Sequence, residues 1–344
     1  MAAMKEPAFS NSPLAGVEVN GTLLHVRDLE PSDRPGLLDL HTRVFGQQAS
    51  EDWYRWKYVD GHALGTGVWH QQHLIAHCGG TPRTLWRQGR QASGIQIGDV
   101  MVAPEWRGIL TRRGPFFQAC DSFYARHVGR QAGHDIGYGF PNLRHMKLAV
   151  ALKLAWDGGA VHALTWRLGA DRLAPPGWSW RWTELQASKP GFDDIVEQAW
   201  SRMRANAAQF TLGERSCRYV RWRYCERPAR STRIFSLRRA WLREPVGLAV
   251  LDMGSDQAQW LDWIGEPKAI ALASRACVAQ ARLNGASSLV AWATDAVKQL
   301  LGNDDDTFDQ CITARLGVPI ASALNHDEAS RAQWWFMGGD TDFL

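Results

Sequence analysis

The tetrapeptide Arg55-Trp56-Lys57-Tyr58 returns as Arg221-Trp222-Arg223-Tyr224, and the pattern around it returns as well. A helix-like segment precedes each copy, at about 33–45 and 192–210. Strand-like runs follow each copy, at 67–69, 74–79 and 95–102 in the first half and at 232–238, 246–253 and 259–264 in the second. Asp99 and Asp262 fall late in matching strands. A helix (115–130, then 267–283) and a further strand (136–140, then 288–293) complete each series. This shared order of elements predicts a duplicated unit. Alternating strands and helices place both copies in the α/β class, each a mixed, mostly antiparallel sheet flanked by helices. At 344 residues the chain exceeds one ordinary core, so two domains are expected, 17–170 and 180–344. They join through the turn-rich residues 173–178, with Lys189-Pro190-Gly191 after them.

The first half carries a segment that the second lacks. The strand ending Asp99-Val100-Met101-Val102 runs into Ala103-Pro104-Glu105-Trp106-Arg107-Gly108-Ile109-Leu110-Thr111-Arg112-Arg113, and a helix opens at Gly114-Pro115. Proline suits a first helical position, because the N–H that it lacks would have no helical partner there. A loop entering a helix N-terminus gathers free N–H groups and the positive end of the helix dipole, and this combination holds phosphate. Arg107, Arg112 and Arg113 add cationic charge at the same place. The matching second-half segment, Asp262 to Lys268, has Asp262 and Glu266 where phosphate would sit, so that half is expected to bind no polyanion.

Val102-x-Pro-x-x-Arg107-Gly108 at a strand end resembles the acyl-CoA pyrophosphate loop of the GCN5-related N-acetyltransferases (GNAT superfamily). Two departures are visible: Leu110 stands where a second glycine is usual, and Thr111-Arg112-Arg113-Gly114 delay the helix. Tyr138-Gly-Phe-Pro-Asn142, Trp222-Arg-Tyr224 and Gly339-Asp-Thr-Asp342 extend the resemblance to tandem acetyltransferase-like bacterial proteins. It implies two tandem acetyltransferase-like domains, the second degenerate, and acetyl-CoA or another acyl-CoA as co-substrate without a metal. It also implies direct transfer to an amine, with the donor held by Met101, Val102, Arg107, Gly108, Ile109, Thr111, Arg112, Arg113, Gly114 and Asn142.

Acyl transfer to an amine needs a neutral amine, donors for the oxyanion and an outlet for the thiolate. Asp99, just before the loop, is either a general base whose pKa burial raises or a structural acceptor for loop N–H groups. Glu105 is expected to cap the loop. The family's general acid is a tyrosine two residues before Lys153, where this chain has Ala151, so Tyr138 or His145 is the substitute. Asn142 either meets the amide-rich arm of coenzyme A or caps its helix.

The remaining features narrow the alternatives. His70, His73 and His77 lie on a predicted hairpin where their rings need not converge, and Asp304-Asp305-Asp306 reads as a solvated loop, so no metal is expected. Six cysteines form no Cys-x-x-Cys pair, which argues against a zinc site or a disulfide framework. A net charge of +4 suits an anionic co-substrate but not nucleic acid. No run approaches the roughly 20 apolar residues that span a bilayer, and residues 1–7 lack a signal-peptide core. A cytoplasmic enzyme with a small-molecule amine substrate and no membrane partner is the expectation. The eighteen tryptophans are assigned to core and interdomain packing, or to the walls of a substrate cleft. Two rivals stand beside acyl-CoA transfer: an aminoacyl- or acyl-carrier-dependent transferase for cell-envelope precursors, and a non-catalytic acyl-CoA-binding protein.

Overall fold

A computed structural model describes residues 15–19, 21–169, 176–254, 256–302 and 308–341. Asp304 to Asp306, Asp342 and residues 173–175 of the join lie outside the described residues. The first half contributes β1 (Ala15–Val19), β2 (Thr22–Asp28), α1 (Arg34–Phe45), α2 (Glu51–Tyr54), β3 (Leu64–His70), β4 (His73–Arg87) and β5 (Arg90–Val102). It continues with α3 (Pro115–His127), β6 (Ile136–Gly139), α4 (Leu143–Ala151) and β7 (Ala155–Arg167). The second half begins with β8 (Trp180–Leu185), α5 (Phe192–Asn206), β9 (Thr211–Gly213), α6 (Cys217–Val220), β10 (Thr232–Arg239) and β11 (Gly247–Asp252). It ends with β12 (Gln257–Gly265), α7 (Ile270–Leu283), β13 (Ser288–Thr294), α8 (Asp295–Leu301), β14 (Asp309–Pro319), α9 (His326–Arg331) and β15 (Trp334–Trp335). From α1 to β7 and from α5 to β14 the two series run in the same order, as the repeat predicts, with β9 an addition in the second half.

The strands form one sheet in the order β1-β2-β3-β4-β5-β6-β14-β7-β13-β12-β11-β10-β8, mostly antiparallel. Its parallel pairs include β5 with β6 and β12 with β13. The middle of the sheet is an exchange. β7, the strand after α4, pairs with β13 of the other half, while β14, the strand after α8, lies between β6 and β7. A cut between residues 170 and 180 therefore separates β14 from the strands that it joins.

The repeated tetrapeptides take the same form. Ser50 caps α2 through the N–H of Trp53, and Ser216 caps α6 through that of Tyr219. Each short helix then widens into a π-helical turn, Arg55–Asp60 and Arg221–Cys225. The wider turns bring Trp56 and Trp222 face to face, with ring centroids 5.0 Å apart and planes 11° from parallel. Each indole N–H donates to the other tryptophan's backbone carbonyl, at 2.7 Å and 2.9 Å. One apolar core lies in each half, and a third, with Leu85, Tyr138, Leu316, Trp334 and Phe336, lies around the exchanged strands. Trp166, Trp260, Trp263 and Trp335 are fully buried, in keeping with the core role given to the tryptophans.

Truncating a buried aromatic costs about 3–5 kcal/mol. Trp56→Ala is therefore expected to lower the unfolding free energy by about that amount in urea titrations. Both halves should unfold in a single transition, as the shared strands require.

Candidate active site

The parallel pairing of β5 with β6 runs from Gly94 opposite Ile136 to Ile97 opposite Gly139, and then stops. β5 continues to Val102, while the other chain turns through Phe140 and Pro141 into α4. The two central strands thus splay apart, leaving one edge of Gly98 to Val102 without a β6 partner. The N–H of Ala103 donates to Ile75 on β4 at 2.8 Å. Ladder alternation then turns the Met101 N–H toward β4 and the N–H groups of Val100 and Val102 toward the opening. Of the two expected backbone donors, Val102 faces the cleft; Met101 is opposite His77 in the ladder, and its side chain is buried.

The loop forms one wall of the opening. Arg107 Nε donates to the Val102 carbonyl at 3.0 Å, which holds the arginine at the strand end. Gly114 donates to the Thr111 carbonyl at 2.9 Å, and Thr111 Oγ1 accepts from the Arg113 N–H at 3.3 Å. Only glycine fits at Gly114, because a Cβ there would stand 1.9 Å from the Ile109 carbonyl oxygen. Gly114 gives α3 no side-chain cap, and Pro115 holds the first helical position as expected. Gly108, Thr111 and the three arginines are exposed, whereas Ile109 packs against the first-half core. Among the described residues no carboxylate pairs with Arg107, Arg112 or Arg113. Glu105 does not cap the loop; it reaches Arg43 of α1 at 2.5 Å.

The opposite wall is the start of α4. Asn142 Oδ1 accepts from the His145 N–H at 2.9 Å, so in this structure it is a helix cap. His145 is exposed on the first turn. Partial burial, followed by the Arg144 and Arg107 cations, lowers its pKa below the ordinary 6.5. Ala151 is exposed at the helix end and brings no hydroxyl.

Two expected roles change. Tyr138 is fully buried and stacks on Phe336 at 4.5 Å, and burial raises its pKa well above the ordinary tyrosine range. Strand alternation gives it to the central core rather than to the cleft, so it is not placed as a general acid there. Asp99 is also buried, but its pKa is lowered rather than raised. Burial is the largest influence and acts against ionisation; the Lys57 ammonium, 2.8 Å from Oδ2, and the Tyr58 hydroxyl, donating at 2.7 Å, together outweigh it. Asp99 sits at a bulge with φ of 48°, where β4 and β5 slip out of register between His77 and Gly79. The Asp99 carbonyl accepts a hydrogen bond, so His77, 2.7 Å away through Nδ1, carries its proton there. Burial drives the His77 pKa down to about 4. The structure thus makes Asp99 a buried counter-ion of Lys57 and an acceptor for Tyr58, not the acceptor for loop N–H groups that the second reading expects. The histidine series does not converge: His70 faces His73 across a hairpin, and His77 is buried on Asp99.

Lys57 and Tyr58 stood out in sequence only as part of the repeat, and His77 only in the histidine series; none was expected to contact Asp99. The repeat held the signal, because it pairs Lys57-Tyr58 and Asp99 with Arg223-Tyr224 and Asp262. In the second half, Tyr224 donates to Asp262 at 2.7 Å, as Tyr58 does to Asp99. Arg223 turns instead to the Gly339 and Thr341 carbonyls, and Arg215 supplies the cation, 3.2 Å from Asp262 and 2.5 Å from Asp340. Asp262 is therefore buried in an ion network and does not face a phosphate position, contrary to the expectation. Glu266 is held by Arg202 at 2.8 Å. The second splay has a different obstacle, the chain's own segment 334–341. Thr294 at the end of β13 donates its N–H to Phe336 at 3.1 Å, Ala293 bridges Met337, and a Cβ on Gly339 would stand 3.1 Å from the Leu261 carbonyl.

Comparison with known proteins finds the same fold elsewhere. Residues 25–140 match the family model described as an acetyltransferase (GNAT) domain. A conserved Enterococcus faecalis V583 protein of unknown function, titled a probable N-acyltransferase, superposes with a TM-score of 0.66 at 13% identity, over 87% of this chain and 73% of its own. A GCN5-related N-acetyltransferase from Kribbella flavida gives 0.59 at 17% identity, over 86% and 70%. Saccharomyces cerevisiae N-myristoyltransferase with bound myristoyl-CoA gives 0.59 at 10% identity, over 92% and 86%. No curated protein has a sequence that matches this chain.

Asp99→Asn breaks the buried ion pair with Lys57, which costs about 3–5 kcal/mol. It should lower the melting temperature and leave the shape of any pH–rate profile unchanged; loss of the profile's acidic limb in a stable variant would restore the base role. His77 titrates in the unfolded chain at 6.5 and in the folded chain at about 4. The unfolded state therefore binds more protons between those values, and stability should fall as the pH drops from 6.5 to about 4. Urea titrations across that window should show a loss of about 3 kcal/mol that is absent in His77→Gln.

Proposed function

In a chain whose residues 25–140 form an acetyltransferase (GNAT) domain, we propose an N-acyltransferase that uses acyl-CoA, with acetyl-CoA the expected donor and a small amine the acceptor. The first half, 17–170, holds the donor, and the second, 180–344, braces it through the exchanged strands. The observation that carries this reading is the splay beyond Ile97 and Gly139. It sits beside an uncapped helix N-terminus and three exposed arginines without carboxylate partners. The fit is chemical: free N–H groups, a helix dipole and guanidinium groups all suit a pyrophosphate.

Bound there, acyl-CoA supplies a thioester carbonyl that a neutral amine can attack. The Val102 N–H, aimed into the opening, donates to the developing oxyanion. His145, held neutral by burial and the neighbouring arginines, accepts the proton that the amine gives up. With Ala151 at the helix end, the thiolate leaves without a tyrosine proton, which a thiol pKa of about 8.5 tolerates. The second half takes no donor, because residues 334–341 fill the matching splay.

Calorimetric titration of the full chain with acetyl-CoA is expected to find one site. Arg107→Ala combined with Arg112→Ala should weaken it by about tenfold or more. Two sites per chain, or a double variant that binds like the parent, would overturn the assignment. His145→Gln should lower the rate by roughly 10²–10⁴-fold and abolish the rise in rate that the parent shows below pH 6.5, with donor affinity unchanged.

A further inference from the structure

Far along the sheet from the splayed strands, β8 is the outermost strand, and the turn that enters it lies beside the turn that leaves its neighbour β10. The first turn closes with Trp180 donating to the Gly177 carbonyl at 3.0 Å, and the second with Leu242 donating to that of Arg239 at 3.1 Å. Ala240 donates to the Ser179 carbonyl at 2.8 Å and locks the turns together. Their tips present Trp178, Trp241 and Leu242, which are 85%, 64% and 49% exposed. Large apolar side chains gathered at one tip mark a contact surface more clearly than single ones scattered over the molecule.

A cationic collar surrounds this tip. Arg181 and Arg238 stand directly opposite each other in the β8–β10 register, a like-charge pairing that destabilises a sheet. Both turn to backbone carbonyls: Arg181 to Trp178 at 2.9 Å, and Arg238 to Leu242 at 2.8 Å. The Arg239 guanidinium lies over the Trp180 ring at 4.0 Å and 5.9 Å from that of Trp241, with exposed Arg243 beyond. The neighbouring carboxylates are engaged elsewhere, Glu244 with Arg202 at 2.8 Å and Glu184 with Arg233 at 2.5 Å.

We propose that this tip docks on an anionic lipid surface. Tryptophan favours the water–lipid boundary, where its ring is apolar and its N–H stays hydrated. Leucine inserts below it, and arginines draw in anionic headgroups. A second copy of the chain fits less well, because a twofold contact would bring the arginine collars together. A nucleic acid has no use for Leu242 and finds the Trp180 face already covered by Arg239. Among the described residues no helix is long and apolar enough to cross a bilayer, and a peripheral contact needs none. The surface is independent of the proposed acyl transfer, and either can fail alone.

The full chain should float with phosphatidylcholine vesicles that contain phosphatidylglycerol, stay behind with phosphatidylcholine alone, and come off as salt is raised. Trp178→Ser with Trp241→Ser should keep the melting temperature and lower the bound fraction by about tenfold. Arg239→Glu with Arg243→Glu should do the same. Three results would overturn the proposal: no flotation with either vesicle, flotation that both double variants retain, or a dimer or RNA complex that the tryptophan variant abolishes in place of vesicle binding.

Discussion

The exchange of β7 and β14 at the centre of the sheet is the constraint on which the rest of the structure depends. Each half gives the strand after its last paired helix to the other, so β6 and β13 find their second neighbours only when both halves are folded. An edge strand left without its partner exposes a row of unpaired N–H and C=O groups, and the exchange brings β14 and β7 to the open sides of β6 and β13. The stacked indoles of Trp56 and Trp222 close the same seam with reciprocal hydrogen bonds. Gly61 permits their approach, since a Cβ there would stand 2.6 Å from the Trp222 ring.

On this common frame the halves diverge by charge and by occupancy. Both place an aspartate late in the strand that borders the splay, and both give it a tyrosine hydroxyl. The first half adds a lysine, and Asp99 stays ionised. In the second, burial and the nearby Asp340 raise the Asp262 pKa despite Arg215. The difference follows from the last stretch of chain. Asp340 pairs with Arg215, the Gly339 and Thr341 carbonyls beside it take Arg223, and the segment leaves the splay filled. The first splay has no such tenant among the described residues, and its loop arginines remain exposed. One duplicated architecture thus yields an open site and a closed support.

Much of the fold was legible in the sequence because helix and strand periodicities are local. The tetrapeptide repeat, the matched order of elements, the helix opening at Gly114-Pro115 and the cap at Asn142 all depend on residues within a few positions of one another. The loop after Val102 could be read for the same reason: its arginines and glycines are contiguous. Side-chain roles were less accessible. The expected pKa rise of Asp99 rested on burial alone, and the opposing cation, Lys57, comes from a π-helical turn 42 residues away in sequence, as 99 − 57 shows. Tyr138 stood close to the loop in sequence, but β6 turns it into the core that holds Phe336.

The sequence by itself determined the duplication, the α/β class and the cationic character of one loop, because each is written in short-range pattern and composition. Only the tertiary structure decided which half stays open, which carboxylates are neutralised and how the strands are shared. Those outcomes turn on contacts between distant segments, such as residues 334–341 on β13 or β14 on β6. Nothing local in either partner encodes such a contact; it exists only once both are folded against the same sheet.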